Sequence, residues 1–386
     1  MSTTALSTGS AIQSVLDDAV ARGLTPGAAA AIVRLDGTHQ RFCSGHRVGD
    51  DSVNDDDDAV DPDTIYDLAS LTKLLCTTTL LASAVDDELI ALDEQPFERW
   101  PGVTVAHLLQ HTAGLAAHRP LHEQAVSAGN CGLRSGRDLV VDGTLHTVPD
   151  AAAGTRTRYS DLGFIALGAL LEQRRGQSLD VLFAQHHRRA AAPADAQSLA
   201  PPSDQGLRFV SLWKDGYHPL ILQTAPTERC PWRRRAVQGQ VHDENAFAMG
   251  GVAGHAGLFG SLVDVEDAAL RLLRSLTQDT TLRLFARAPG ERGLGFDKAT
   301  PDGSTAGVLG PRAVGHLGFT GTSIWIDPDV ANDDGSVGAA FVLLANTLYP
   351  TREGVLSRNK ELRTAFHRAA VLGIADVAQQ GASGAG

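Results

Sequence analysis

Lysine is scarce in this chain. Of its 33 basic side chains only Lys73, Lys214, Lys298 and Lys360 are lysines, and the rest are arginines. Positive charge is short overall: 45 acidic residues give a formal net charge of -12. That excludes a general nucleic-acid role, because binding a phosphate backbone needs a basic surface that replaces counterions. Cysteine is also sparse, and Cys43, Cys76, Cys131 and Cys230 form no Cys-x-x-Cys pair, so neither a zinc site nor a disulfide framework is indicated. No apolar run approaches a membrane span, and Met1 to Ser10 lacks both the basic and the apolar regions of a secretory signal. These absences predict a cytoplasmic soluble protein with no membrane or nucleic-acid partner, no metal and no cofactor.

What is present suits a soluble enzyme, with 43% hydrophobic and 20% charged residues in 386. The acidic stretch Asp50 to Asp63, with Asp55 to Asp58 in sequence, lacks the ligand spacing of a calcium loop and reads as solvated. His107, His111, His118 and His122 include pairs at i, i+4, but no carboxylate completes a known ligand pattern, so they read as packing residues. Arg233, Arg234 and Arg235 read as a solvated turn.

Ile12, Val15, Leu16, Ala19 and Val20 recur at helical spacing before Gly23 and Pro26, and Ala28 to Val33 and Gln40 to Gly45 then read as strands joined around Asp36-Gly37. Near the other end, Ser323 to Ile326 and Gly338 to Ala345 read as strands, and Asn359 to Leu372 as a helix ahead of a frayed tail from Gln379. Between them, Leu71 to Val85, Thr104 to Gln110 and Leu162 to Gln173 are helical, while Ala191 to Asn245 reads as loops with short elements. This pattern predicts an α+β protein whose sheet is built from both chain ends. Residues 1–66 and 311–375 would form the sheet region, 67–310 an inserted, mostly helical region, and 376–386 a flexible tail.

Three segments carry chemistry. A serine hydroxyl becomes a nucleophile when a neighbouring group takes its proton, and in Ser70-Leu71-Thr72-Lys73 an amine lies one turn along the same helix face. A capping serine followed by a surface lysine gives the same tetrapeptide. The scarcity of lysine favours the chemical reading, since buried lysine can lose its proton and arginine cannot. Tyr159-Ser160-Asp161 places a phenol just before the helix Leu162 to Gln173, where a nearby ammonium would lower its pKa. Gly315-His316-Leu317-Gly318-Phe319-Thr320-Gly321 puts glycines at a strand mouth, where backbone N–H groups can approach a ligand as an oxyanion hole requires.

In this order the three segments resemble the serine β-lactamase and penicillin-binding-protein family, specifically its class C-like branch of esterases and D-alanyl carboxypeptidases. The resemblance runs from roughly Pro26 to Leu372. It takes in Val103 to Leu115, Val241-His242-Asp243-Glu244-Asn245-Ala246, and Gly250 to Phe259. It implies a β-lactamase-like fold. It also implies Ser70 as nucleophile, Lys73 as its proton acceptor or electrostatic partner, and Tyr159 as general base and later acid. His316-Leu317-Gly318 matches the family's Lys-Thr-Gly, and the Ser70 and Phe319 amides would form the oxyanion hole.

Three departures bear on substrate. Asp161 stands where the family usually has Asn and would hold Lys73 protonated, shifting the base role toward Tyr159. His316 exchanges a permanent cation for a group that titrates near neutral pH, and Leu317 lacks the hydroxyl that helps bind a substrate carboxylate. The expected function is a serine hydrolase acting on a small ester, amide or peptide through a Ser70 acyl-enzyme. An acyltransferase with an amine or alcohol acceptor, and a catalytically silent binding module, are the alternatives.

Overall fold

Alternation decides the central sheet. In β1 (Gly27–Arg34) and β11 (Val337–Ala345) nearly every residue is buried, because successive side chains enter two different cores. Ala28, Ala30 and Ile32 with Phe341 and Leu343 face α1 (Thr8–Ala21) and the C-terminal helix α11 (Val355–Ser383). Ala29, Ala31 and Val33 with Val342 and Leu344 face the larger core, which includes α9 (Leu262–Thr277). A strand covered on both faces reads as a continuous apolar run, as both do in the sequence. The two pair antiparallel, with Ala28 opposite Ala345 and Ile32 opposite Phe341.

The computed structural model of this chain describes residues 8–48, 58–191, 206–212, 223–331 and 337–383. Among the described residues the main sheet has six antiparallel strands in the order β2 (His39–Gly45), β1, β11, β10 (Ser323–Ala331), β9 (Val314–Leu317), β8 (Asp297–Lys298). Short strands β3 (Tyr66–Asp67), β7 (Leu258–Gly260) and β4 (Arg208–Phe209) make a second sheet, and β5 (Arg229–Cys230) pairs with β6 (Arg235–Ala236). The helices between are α2 (Thr79–Asp86), α3 (Val105–Leu109), α4 (His122–Ser127), α5 (Arg134–Leu145), α6 (Asp161–Arg175), α7 (Leu179–Ala191), α8 (Glu244–Ala248) and α10 (Thr281–Arg287). The α+β class and the antiparallel sheet from both chain ends are as the sequence predicts.

Differences are local. Helix α9 was not anticipated, although a capping box formed by Ser261 and Asp264 opens it and Leu262, Val265, Ala269, Leu272 and Leu276 give it a buried stripe. Helix α11 continues through Ser383, past the expected start of a frayed tail. Of the acidic stretch, residues 50–57 lie outside the described residues, while Asp58 is buried and pairs with Arg47 at 3.2 Å.

Candidate active site

The chain reaches Ser70 through strain. Strand β3 ends at Asp67, and Ala69 adopts φ +47°, a conformation a non-glycine residue holds only when its surroundings impose it. Asp67 imposes it: one carboxylate oxygen accepts from the Ala69 amide at 2.9 Å and the other from the His242 amide at 2.6 Å. Beyond Ser70 the helix passes through a π-helical turn, Lys73–Thr78, before continuing as α2, and all six residues of that turn are buried. Such wide turns concentrate at functional sites.

Lys73 is fully buried, and an ammonium has three protons to place. They go to Ser70 Oγ at 2.8 Å, Asp161 Oδ1 at 2.8 Å and the His255 carbonyl at 3.1 Å. Its Nζ also lies 4.9 Å from the Tyr159 ring centre and 5.8 Å from that of Phe164, contacts that favour a cation. Burial opposes the charge on Lys73, but Asp161, with Tyr159 adding to it, outweighs burial and the pKa is raised. Asp161 opens α6, where the helix N-terminus favours a carboxylate. Burial pushes its pKa up, the Lys73 charge and a bond from His118 push it down, and it ends well below the usual carboxylate range. Both shifts favour an ionised pair at neutral pH.

His111 sets the tyrosine segment. Its Nδ1 accepts from the Ser160 amide at 3.0 Å, and the Ser160 hydroxyl donates to the Ala116 carbonyl at 2.7 Å. Its ring packs against Tyr159 with centres 4.6 Å apart. This gives the Val103 to Leu115 segment a physical role: it presents Tyr159 and Asp161 together. Burial raises the Tyr159 pKa and the Lys73 charge offsets only part of that rise, so the lowering expected from a nearby ammonium is corrected and the phenol keeps its proton at neutral pH.

The opposite wall is the end of β9. A Cβ on Gly318 would lie 2.0 Å from Thr322 Oγ1 and 2.7 Å from the Leu68 carbonyl, so only glycine lets this turn approach the Ser70 segment. Thr320 and Thr322 donate to the Asp67 and Leu68 carbonyls at 2.7 and 3.1 Å. Among the described residues neither the Ser70 nor the Phe319 amide has a partner, which is the condition for two N–H groups that wait for a ligand oxygen.

A family model named β-lactamase matches residues 12–365. The chain belongs to the β-lactamase family. Among curated relatives, the Escherichia coli K12 protein named "Putative D-alanyl-D-alanine carboxypeptidase" is 27% identical over 69% of this chain and 66% of its own length. A Bacillus subtilis N-acetylmuramyl-L-alanine amidase is 29% identical over 69% of this chain and 65% of its own. The chain thus spans just under two thirds of these relatives. Among solved structures, Simvastatin Synthase from Aspergillus terreus (LovD6 mutant) aligns with a TM-score of 0.66 at 18% identity, covering 98% of this chain and 100% of that one. EstCE1, a hydrolase with promiscuous acyltransferase activity, aligns with a TM-score of 0.66 at 19% identity over 93% of this chain and 98% of that one.

Against the pattern of this β-lactamase family, His316 departs in charge as well as in identity. It is buried, its Nδ1 pairs with the Leu317 carbonyl at 3.0 Å, and among the described residues its Nε2 has no partner. Burial, with help from Lys73 and Arg292, brings its pKa down to about 4. The expected titration near neutral pH is thereby corrected: His316 is a neutral imidazole there and supplies no cation. Arg292, which the sequence did not single out, stands 5.3 Å from the Tyr159 ring centre and pairs with Asp297.

Other residues have contacts that the sequence did not assign to them, because they act through backbone or distant pairing. His255 gives Lys73 its carbonyl while its ring pairs with Asp243 at 2.8 Å. His118 Nδ1 lies 3.5 Å from Asp161. Ligand atoms of His118, Asp161 and Asp243 fall within 4.8 Å of one another, but Lys73 and His255 already occupy the two carboxylates. Arg233 is no solvated turn: it stacks 4.2 Å from the Phe247 ring centre and donates to the Val241 and His242 carbonyls, both at 3.0 Å. Among the described residues no helix is long and apolar enough to cross a membrane.

Proposed function

We propose that the protein is a serine hydrolase that cleaves an ester or amide of a small molecule or peptide through an acyl-enzyme on Ser70. One observation carries the reading: Lys73 Nζ bridges Ser70 Oγ and Asp161 Oδ1, both at 2.8 Å, beside two amides without partners. Lys73 donates to Oγ, which leaves the serine proton free to depart toward Tyr159. A phenol that keeps its proton serves best as a relay, taking the Ser70 proton as it passes its own to the leaving oxygen or nitrogen. The Oγ–carbon bond forms, the carbon–leaving-group bond breaks, and the ammonium and the two amides balance the negative charge that develops. Water then reverses the relay and frees the acid.

Delivery of the same acyl group to an alcohol or amine is the second reading, supported by the likeness to EstCE1, a hydrolase with promiscuous acyltransferase activity. Intact-mass measurement on the purified protein across p-nitrophenyl esters, D-amino-acid amides and β-lactams tests the first step. An adduct on wild type that is missing from Ser70→Ala is expected, and its absence from wild type with every acyl donor and with a fluorophosphonate rejects the nucleophile. Adding acceptor amines or alcohols to the preformed adduct then separates the readings: faster release with a new amide or ester means transfer, and acceptor-independent release means hydrolysis.

A further inference from the structure

We infer that Arg363, assisted by Asn359 one turn earlier on α11, is a positioning residue that aims and polarises the Phe319 amide of the oxyanion hole. The inference rests on the acyl-enzyme reading above.

The Gly318 carbonyl and the Phe319 N–H are two ends of one planar peptide unit. Arg363 Nη2 donates to that carbonyl at 2.5 Å, and to the Thr322 carbonyl at 2.8 Å. A cation bonded to the oxygen end of an amide fixes the plane and draws electron density from its nitrogen, so the N–H at the other end becomes a stronger donor. Asn359 Nδ2 holds the next carbonyl, that of Phe319, at 3.0 Å, and its own oxygen is fixed by the Thr347 hydroxyl at 2.5 Å. From the other side Thr320 and Thr322 tie the same turn to the Asp67 and Leu68 carbonyls. The two amides of the hole are thus held against each other by side chains from the turn and from α11.

The choice of residue is costly. Arg363 and Asn359 are buried, and among the described residues no carboxylate pairs with the guanidinium, whose Nε has no partner at all. A neutral donor would tie the hairpin without burying an unpaired charge. The charge is explained if its effect is felt where negative charge develops, across the peptide at Phe319.

The test is fluorophosphonate labelling of Ser70 in the full chain, because that reaction drives an oxygen into the hole. Rate, half-saturating concentration and final labelled fraction are read separately. For Arg363→Met the maximal labelling rate is expected to fall roughly tenfold or more, part of the factor on the order of 10²–10³ lost when an oxyanion donor is deleted. Half-saturation and labelled fraction should stay near wild type, and Arg363→Lys should recover part of the rate. Asn359→Ala should show a smaller loss of the same kind, and it decides the matter if Arg363→Met does not fold. A reduced labelled fraction with an unchanged rate in the molecules that do react would overturn the proposal in favour of a purely structural tie. Wild type that fails to label at Ser70 removes the acyl-enzyme reading itself, a different outcome from labelling that ignores both substitutions.

Discussion

The two ends of the cleft bury a basic group each, and they resolve it oppositely. At the Lys73 end a fully buried ammonium keeps its charge; at the His316 end a buried imidazole gives its charge up. Burial pushes both groups toward neutrality. What differs is the partners: Lys73 has a carboxylate, a hydroxyl and a carbonyl around three protons, whereas His316 has one carbonyl and an empty Nε2. Residue type therefore sets which charges a cleft can hold, and the neighbours decide which it does hold.

The strongest way to break this contrast is Lys73→Met. It leaves Asp161 buried without its ammonium, and losing one member of a buried pair costs about 3–5 kcal/mol, read as a lower denaturation midpoint. Labelling of Ser70 should also fall by a factor on the order of 10²–10³, as when a charge-stabilising donor is removed. Wild-type stability in Lys73→Met would show that the pair is not a buried ion pair.

Asp161→Asn turns the Lys73 end into a copy of the other. With the carboxylate gone, burial acts on Lys73 without its main counterweight and the pKa falls from its raised position. The labelling rate of Asp161→Asn should then decline as pH rises through that lowered pKa, about tenfold for each further unit, where wild type stays flat. The stability sign follows too. A depressed Asp161 pKa contributes stability that is present above the unfolded value of about 3.9 and lost as pH falls through the folded one. Acid titration of Asp161→Asn should lack that component. Matching rate profiles for variant and wild type would mean that Asp161 does not hold the Lys73 charge.

His316 carries the next effect. Its folded pKa of about 4 lies below the unfolded value of about 6.5, so the unfolded chain binds the proton first. Stability is then lost as pH falls from about 6.5 to 4, by roughly 3 kcal/mol in all. His316→Gln should flatten the denaturation midpoint over that window and leave the labelling rate between about pH 5.5 and 8 without a new titration. A wild-type rate limb in the latter range that disappears in His316→Gln would return the charge to His316.

What the sequence made legible was local. Spacing of three placed Lys73 over Ser70, the continuous apolar runs Ala28–Val33 and Gly338–Ala345 marked central strands, and glycine at 318 marked a close approach. Beyond local reach, the His255 carbonyl that completes the Lys73 shell carries no side-chain signature, since any residue offers a carbonyl. The neutrality of His316 comes from burial first, with help from Lys73 and Arg292, which lie 243 and 24 residues before it, relations no spacing rule encodes. Arg363 looked like one more arginine in an arginine-rich chain; only the packing of α11 behind the β9–β10 turn distinguishes it.

The smallest effect sharpens the contrast with a third environment. His118 touches the same carboxylate as Lys73, at 3.5 Å, but its side chain is 42% exposed. Its bond to Asp161 outweighs partial burial, with Asp243 and Glu244 adding to it, and the pKa is raised. A raised histidine contributes stability that is complete below the unfolded pKa of about 6.5 and lost as pH rises through the folded one. Water screens an exposed pair, so the contribution is about 1 kcal/mol at most. His118→Gln should therefore lower the midpoint slightly at pH 5.5 and hardly at all at pH 9, and added salt should shrink the difference. An equal loss at both pH values would mean that His118 acts through packing. The pH-dependent result would instead rank the three bases around this cleft by how many acceptors surround each of them and how much water replaces the rest.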